Sequence, residues 1–376
     1  MNPPYAFETP VIITCMSAAE AKNPSLFLTI KTWVRDSHGL FDYESQSLNS
    51  KVFECRCQGS LCLQNDVAKF NVWTGKGQRD LPQDPELAKV TRAGPGFSLQ
   101  SGAHEDMWQV VRYMSGGCHL SKDLVIKLGR VRYRVKEVSD GSSEPVCSGS
   151  DTATSDEERE TDEVPEEREE TVCRVCYDGE KERENPLLSN CKCDGSVKYI
   201  HLECMKQWLR SKVTVQTSDV SETYHWKSLE CDICKTELPL TLKYKGSKLD
   251  LFDFAKPQAP YLILEAAATE RHKAVHVIHL TAGRPSVKLG RGHDSDVRIN
   301  DISVSRCHAV VSLKSGKFVL EDNTSKFGTL VQVKEEVHLN PGAATTVQVG
   351  RSVIDVEVRG SSGKMSTRDL RVLSEA

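Results

Sequence analysis

The sequence predicts a multidomain, mainly β chain, with two β-rich regions flanking a small module built on paired cysteines. Three observations carry that expectation. Short apolar or alternating runs, separated by Gly, Pro, Asn and Asp, fill residues 1–138 and 258–360. Seven of the 14 cysteines fall between 173 and 234. Between 139 and 170 there is almost nothing apolar to support a core. At 376 residues the chain also exceeds what one core usually serves.

The first β-rich domain, 1–138, reads from runs such as "PVIITC", "LFLTIKTWV", "SKVFECRC" and "LVIKLGRVRYRVKEV". The stretch "VIITCMSAAEA" (11–21) imitates a secretory signal, but it lacks a basic start and follows Pro3, Pro4, Glu8 and Pro10, so it reads as a strand. Cys55, Cys57 and Cys62, with Cys118 and His119, have no recognised ligand spacing and read as buried or free thiols. "TGKGQRD" (74–80) lacks the spacing of a phosphate loop, so no nucleotide pocket is expected.

Residues 139–170 read as a disordered linker, with eleven Asp/Glu against two Arg between 151 and 170. A formal charge of -4 gives no pull toward nucleic acid. No apolar run approaches the roughly 18 residues a membrane span needs, so a soluble chain without membrane insertion is expected.

The array at 171–240 supplies, in order, Cys173, Cys176, Cys191, Cys193, His201, Cys204, Cys231 and Cys234. Zinc takes four such donors, so eight ligands imply two ions. A segment this short and this poor in apolar residues takes its folding free energy from metal. Thiolate ligands in paired spacing also point to a reducing compartment, cytoplasmic or nuclear. Residues 241–257 read as a second linker. Nine short strand candidates follow in 258–360, as in a β-sandwich, and 361–376 reads as a tail.

The spacing C-x2-C-x14-C-x-C-x7-H-x2-C-x26-C-x2-C resembles the RING-CH (RING-variant) family of ubiquitin ligases. That resemblance implies a cross-brace, with Cys173, Cys176, His201 and Cys204 on one zinc and Cys191, Cys193, Cys231 and Cys234 on the other. It also implies contact with a ubiquitin-charged conjugating enzyme through Val175, Trp208 and Lys235, with no nucleophile on the ligase itself. A PHD finger, which reads histone tails, uses the same ligand types. It would place an aromatic two residues before the seventh ligand, where this chain has Leu229.

"LGRGHDSDVRINDISVSRCHAVV" followed by "LEDNTSKFGTLV" resembles the forkhead-associated (FHA) domain, a phosphothreonine-binding β-sandwich. A phosphate needs a fixed guanidinium and short donors on loops. By resemblance, Arg291 and Ser305 contact it, Gly290 permits close backbone approach and His308 braces the loops. Arg306 and Lys326 add phosphate or peptide contacts, or serve as solvated surface. Gly328 and Thr329 form the Gly-Thr motif. Phe327 stands where many members have Asn, with Asn323 earlier in that loop as its substitute.

Two segments far apart in the chain are alike. "HLSKDLVIKLGRVRYRVKEV" (119–138) is similar to "HLNPGAATTVQVGRSVIDVEV" (338–358), each a closing hairpin, which would make 1–138 FHA-like. Among Thr152, Thr154, Ser155 and Thr161 in the linker, the last two are followed directly by acidic residues; phosphorylated Thr161 or Thr154 is a candidate ligand for the same chain's FHA domain, or else the run is a solvated spacer. The expected function is a ubiquitin ligase that recruits phosphothreonine proteins. Its alternatives are a non-catalytic adaptor, a histone-tail reader and a purely structural zinc scaffold.

Overall fold

In the computed structural model, residues 11–13, 24–35, 39–73, 84–103, 105–140, 171–179, 184–258, 260–267 and 273–360 are described. Alternating sequence becomes strand wherever one face meets a core. β2 (Ser25–Trp33) buries Leu26, Leu28 and Ile30 while Phe27, Thr29 and Lys31 face outward. It is joined by β1 (Val11–Ile13), β3 (Leu48–Cys55), β4 (Gly59–Gln64), β5 (Val67–Val72), β6 (Glu86–Ala93), β7 (Gly96–Ser101) and β8 (Met107–Val110). A 3-10 turn at Val111–Tyr113 leads to β9 (Cys118–His119) and to the hairpin β10 (Val125–Leu128) and β11 (Val131–Ser139).

The finger contributes β12 (Leu187–Leu188), β13 (Ile200–His201), α1 (Leu202–Lys212), β14 (Thr214–Thr217) and β15 (Ser221–Trp226). After it comes a hairpin, β16 (Thr241–Tyr244) and β17 (Ser247–Asp250), in the stretch expected to be a linker. Lys245 and Gly246 both take positive φ, as a two-residue turn of this hand requires. Leu242 and Leu251 are fully buried in the finger's core, so 241–257 is packed structure over its described length.

The remaining strands are β18 (Tyr261–Ala266), β19 (Lys273–His279), β20 (Ser286–Gly290), β21 (Val297–Arg298), β22 (Ala309–Lys314), β23 (Lys317–Asp322), β24 (Thr329–Gln332), β25 (Val337–Leu339), β26 (Ala344–Val349) and β27 (Ser352–Arg359). They do not form a sandwich by themselves. One sheet runs β1-β3-β2-β27-β26-β8-β24-β10-β11-β18-β19-β15-β14. Its first half faces β25-β7-β6-β4-β5 across a core that includes Leu28, Leu99 and Ile354. Its second half faces β21-β20-β22-β23-β9 across a core that includes Ile126, Leu289 and Leu320.

Two sandwiches of one strand plan therefore stand side by side, with their last three strands exchanged. β3-β2-β27-β26-β8 in the first matches β19-β18-β11-β10-β24 in the second, and β25 matches β9. The division at 1–138 and 258–360 expected from sequence does not follow the strand pairing, because each sandwich is closed by strands from the other end of the chain. β8 pairs antiparallel with β24, Leu330 opposite Val110, which carries each chain direction across the join. The similar segments 119–138 and 338–358 supply strands in equivalent places, each in the sandwich of the other half.

The finger is continuous with this frame. β15 pairs with β19 from Ser221↔Ile278 to Trp226↔Lys273, and Ile263, Val275 and Val277 complete the finger's core. At this junction His276 is buried, with Nδ1 2.9 Å from Thr223 Oγ1 and Nε2 3.3 Å from the Tyr133 hydroxyl. Burial, with His225 adding repulsion, depresses its pKa from 6.5 to about 3. The unfolded chain takes up that proton near 6.5 and the folded chain does not. Stability is therefore expected to fall by about 1.4 kcal/mol per pH unit as pH drops below 6.5 toward 3. Denaturation at stepped pH should show that slope, reduced in His276→Phe.

Residues 14–23, which hold most of the signal-like stretch, and the acidic segment 141–170 with Thr154 and Thr161 lie outside the described residues, as do 74–83 and the tail 361–376.

Candidate metal centres and phosphate-binding loops

The two knuckles of the finger fold alike. In the first, Tyr177 N donates to Cys173 O at 2.9 Å and Cys173 N to Asp178 O at 2.9 Å. In the second, Lys235 N donates to Cys231 O at 3.0 Å and Cys231 N to Thr236 O at 2.9 Å. Tyr177 and Lys235 both sit at positive φ, 62° and 57°, where the chain turns back after the second cysteine. Each turn aims two sulfurs at one point.

Two quartets result, Cys173/Cys176/His201/Cys204 and Cys191/Cys193/Cys231/Cys234, with the ligand atoms of each within 4.8 Å of one another. The chain thus gathers the cross-braced sets. One quartet offers three thiolates and an imidazole, the other four thiolates; neither leaves a position for a substrate, and both suit structural zinc ions. His201 Nδ1 lies 3.2 Å from Cys176 Sγ, while Nε2 donates to Gly179 O at 2.9 Å, which fixes the metal-facing tautomer.

Within each quartet the thiols divide, burial pushing Cys193 and Cys204 up to about 12 while other ligands are brought down. Burial opposes ionisation of Cys173, but backbone donors from Cys176, His201 and Val175 bring it down to about 6. The Thr236 hydroxyl beside Cys234 takes that thiol to about 5. Arg174 points Nη1 at Cys191 Sγ, 3.5 Å away, and at Val197 O, 3.1 Å away, placing a positive charge beside the second quartet.

Of the residues expected to meet a conjugating enzyme, Val175 is 49% exposed and Lys235 is exposed. Trp208 is half-buried on α1, with Nε1 donating to Asp232 Oδ2 at 3.0 Å. Lys212 lies over the Trp208 ring at 5.2 Å and pairs with Asp232 at 3.2 Å, so the helix is tied to the second knuckle. Sequence reasoning missed Ile233, 58% exposed, and Tyr177, 77% exposed. A signal was present for Ile233, which holds in the second Cys-x2-Cys knuckle the place that Val175 holds in the first, and both are exposed.

The expected phosphate residues gather at one end of the second sandwich. Ser305 N donates to His308 Nδ1 at 2.9 Å, and buried His308 Nε2 donates to Gly328 O at 3.0 Å. Burial holds the His308 pKa down, so a neutral ring links the two loops. Ser305 Oγ accepts from Lys326 N at 3.0 Å and keeps its own hydrogen to donate. Arg291 and Arg306 are exposed, and among the described residues neither guanidinium has a partner. At Gly290 a Cβ would lie 2.2 Å from Arg306 O, so only glycine fits there.

Other members of the set are engaged elsewhere. Asn323 Nδ2 donates to Cys307 O at 3.2 Å, Lys326 pairs with Asp42 at 3.4 Å, and buried Thr329 donates to Asp322 at 2.6 Å. Gly328, at φ 77°, packs against the Tyr43 ring. Phe327, the departure noted in the sequence, packs 6.1 Å from Trp33 of the first sandwich. Among the described residues the scattered cysteines gather no metal-binding group, since Cys118 lies in the second sandwich and Cys55, Cys57 and Cys62 are buried with the first.

These features define the class, a cross-braced zinc finger built onto a β-sandwich. The RING-variant domain model matches residues 173–234 and the FHA domain model matches residues 287–352. The second match spans the exchange, since β20–β24 lie in one sandwich and β25–β26 in the other. Among curated proteins, the E3 ubiquitin-protein ligase MARCHF7 of Rattus norvegicus is 30% identical over 38% of this chain and 19% of its own length. The ERAD-associated E3 ubiquitin-protein ligase DOA10 of Saccharomyces cerevisiae is 41% identical over 17% of this chain and 4% of its own. The chain thus spans about a fifth or less of these relatives. A solved structure, FHA-1 of Mycobacterium tuberculosis Rv1747, aligns at 19% identity and a TM-score of 0.12, covering 32% of this chain and 94% of that one. No helix among the described residues is long and apolar enough to cross a membrane.

Proposed function

We propose that this protein is a RING-type ubiquitin ligase that binds a ubiquitin-charged conjugating enzyme through its finger and recruits phosphothreonine proteins through the loops of its second sandwich. The observation that carries the reading is the pair of closed metal quartets beside exposed Val175 and Ile233 and a tethered Trp208. Zinc there shapes a docking surface and supplies no chemistry of its own. Transfer is direct from the conjugating enzyme to a substrate lysine, with Lys235 available to hydrogen-bond across enzyme and ubiquitin. Arg291, Arg306 and the Ser305 hydroxyl supply the charge and donors a phosphate needs. Thiolate ligands suit a reducing compartment, the cytoplasm or nucleus.

An autoubiquitination assay across a panel of conjugating enzymes tests the finger. Wild type is expected to form chains with at least one enzyme, and Trp208→Ala to lose more than about tenfold in rate while keeping both zinc ions. Absence of activity with every enzyme would favour a non-catalytic adaptor. Arg291→Ala is expected to abolish binding of a phosphothreonine peptide selected from a degenerate library.

A further inference from the structure

All the residues with a place around the phosphate come from the C-terminal half of the chain, but the supports of their loops do not. The Ser305 loop rests on a turn in which Asp301 Oδ1 accepts from Ser303 N at 2.8 Å and from Ser303 Oγ at 2.7 Å. Onto that turn comes the tip of the β10–β11 hairpin. Arg130 N donates to Ser303 Oγ at 3.0 Å, and Arg130 Nε reaches both Asp301 oxygens, at 3.1 and 2.9 Å. Gly129, at φ 61°, approaches so closely that a Cβ would lie 2.5 Å from Ser303 O.

The second loop, which carries Asn323, Lys326 and Gly328, is held from the same side. Arg112 Nε donates to Asp322 Oδ2 at 3.0 Å, and its guanidinium also bonds Ser325 O. Tyr43 N donates to Lys326 O at 3.0 Å, Asp42 pairs with Lys326, and Gly129 N donates to Gly328 O at 3.4 Å. The first sandwich offers no counterpart site among its described residues. Where the second has Gly290-Arg291 at the end of β20, the first has the tight Asn65-Asp66 turn after β4, and its Gly350-Arg351 turn mirrors Gly129-Arg130 only as a brace, with Arg351 on Asp66.

We propose that the N-terminal half is the positioning frame of the phosphate site, Arg130 holding the Ser305 loop and Arg112 with Asp42 holding the Lys326 loop. The inference rests on phosphothreonine binding by the second sandwich. These residues act through the loops and do not touch the ligand. The Arg130–Asp301 pair is half-exposed, and such pairs add little to global stability, so its effect falls on loop placement and thereby on affinity.

The test titrates full-length protein with the library-selected phosphothreonine peptide and its unphosphorylated form, with thermal melting in parallel. Arg130→Ala and Arg112→Ala are expected to weaken phosphopeptide binding about tenfold, with Arg130→Ala melting within about 2 °C of wild type and Arg130→Lys recovering most of the loss. If Arg291→Ala abolishes binding while Arg130→Ala and Arg112→Ala bind as wild type, the positioning role is overturned and phosphate binding stands. If wild type binds no phosphopeptide, or Arg291→Ala has no effect, phosphate binding fails and the frame with it. Equal losses in Arg130→Ala and Arg130→Lys, each with a lowered melting point, would mark a folding role and overturn the proposal.

Discussion

Ile126→Ala, in the N-terminal half, is expected to loosen the C-terminal strands, and Ile354→Ala, near the C-terminus, the N-terminal ones. Both side chains are fully buried. Ile126 lies on β10 in the core shared with Leu289 and Leu320, and Ile354 on β27 in the core shared with Leu28 and Leu99. Truncating a buried isoleucine removes its transfer free energy and leaves a cavity, together about 2–5 kcal/mol. That is a large part of one domain's stability. Hydrogen exchange read by peptide should show lost protection in strands β18–β24 in Ile126→Ala and in strands β2–β7 in Ile354→Ala. Each substitution loosening its own half instead would contradict the exchanged pairing.

Loss of zinc is expected to have the largest effect on the finger. The free energy of binding a structural zinc is on the order of 10–16 kcal/mol and is largely folding free energy. The segment 191–204 contributes Cys191 and Cys193 to one quartet and His201 and Cys204 to the other, so each metal helps hold the other's ligands. His201 also stands at the N-cap of α1, the helix that carries Trp208. His201→Ala should therefore reduce bound zinc from two ions per chain, strip exchange protection from 184–238 and abolish autoubiquitination. The sandwiches should persist, because β19 keeps its partner β18 when β15 is lost. Retention of two ions and native protection in His201→Ala would refute the cross-brace.

Local chemistry was legible before the fold was known. Ligand pairs lie close in sequence because one tight turn must present two sulfurs, and the eight residues read in sequence are the eight gathered in space. The Gly-Arg, Ser-x-x-His and Gly-Thr signals end up on adjoining loops because strand ends meet at one end of a sandwich. Ile233 and Tyr177 went unread although their turn geometry was already implied. The β16–β17 hairpin went unread because its Lys-Gly turn is a weaker signal than Asn-Gly. Phe327, which stands where many FHA domains have Asn, packs against Trp33, a partner almost three hundred positions away that no local pattern announces.

By itself the sequence determined most of the sandwich strands, the finger's eight ligands and the order of the Gly-Arg, Ser-x-x-His and Gly-Thr motifs, all consequences of local spacing. Which hairpin closes which sandwich was decided only in the tertiary structure. The segments at 119–138 and 338–358 satisfy the same edge pattern, so alternation assigns either to either place. The long-range pairing of β8 with β24 joins the two sandwiches where each half of the chain passes into the other, and the N-terminal half comes to rest against loops of the C-terminal half.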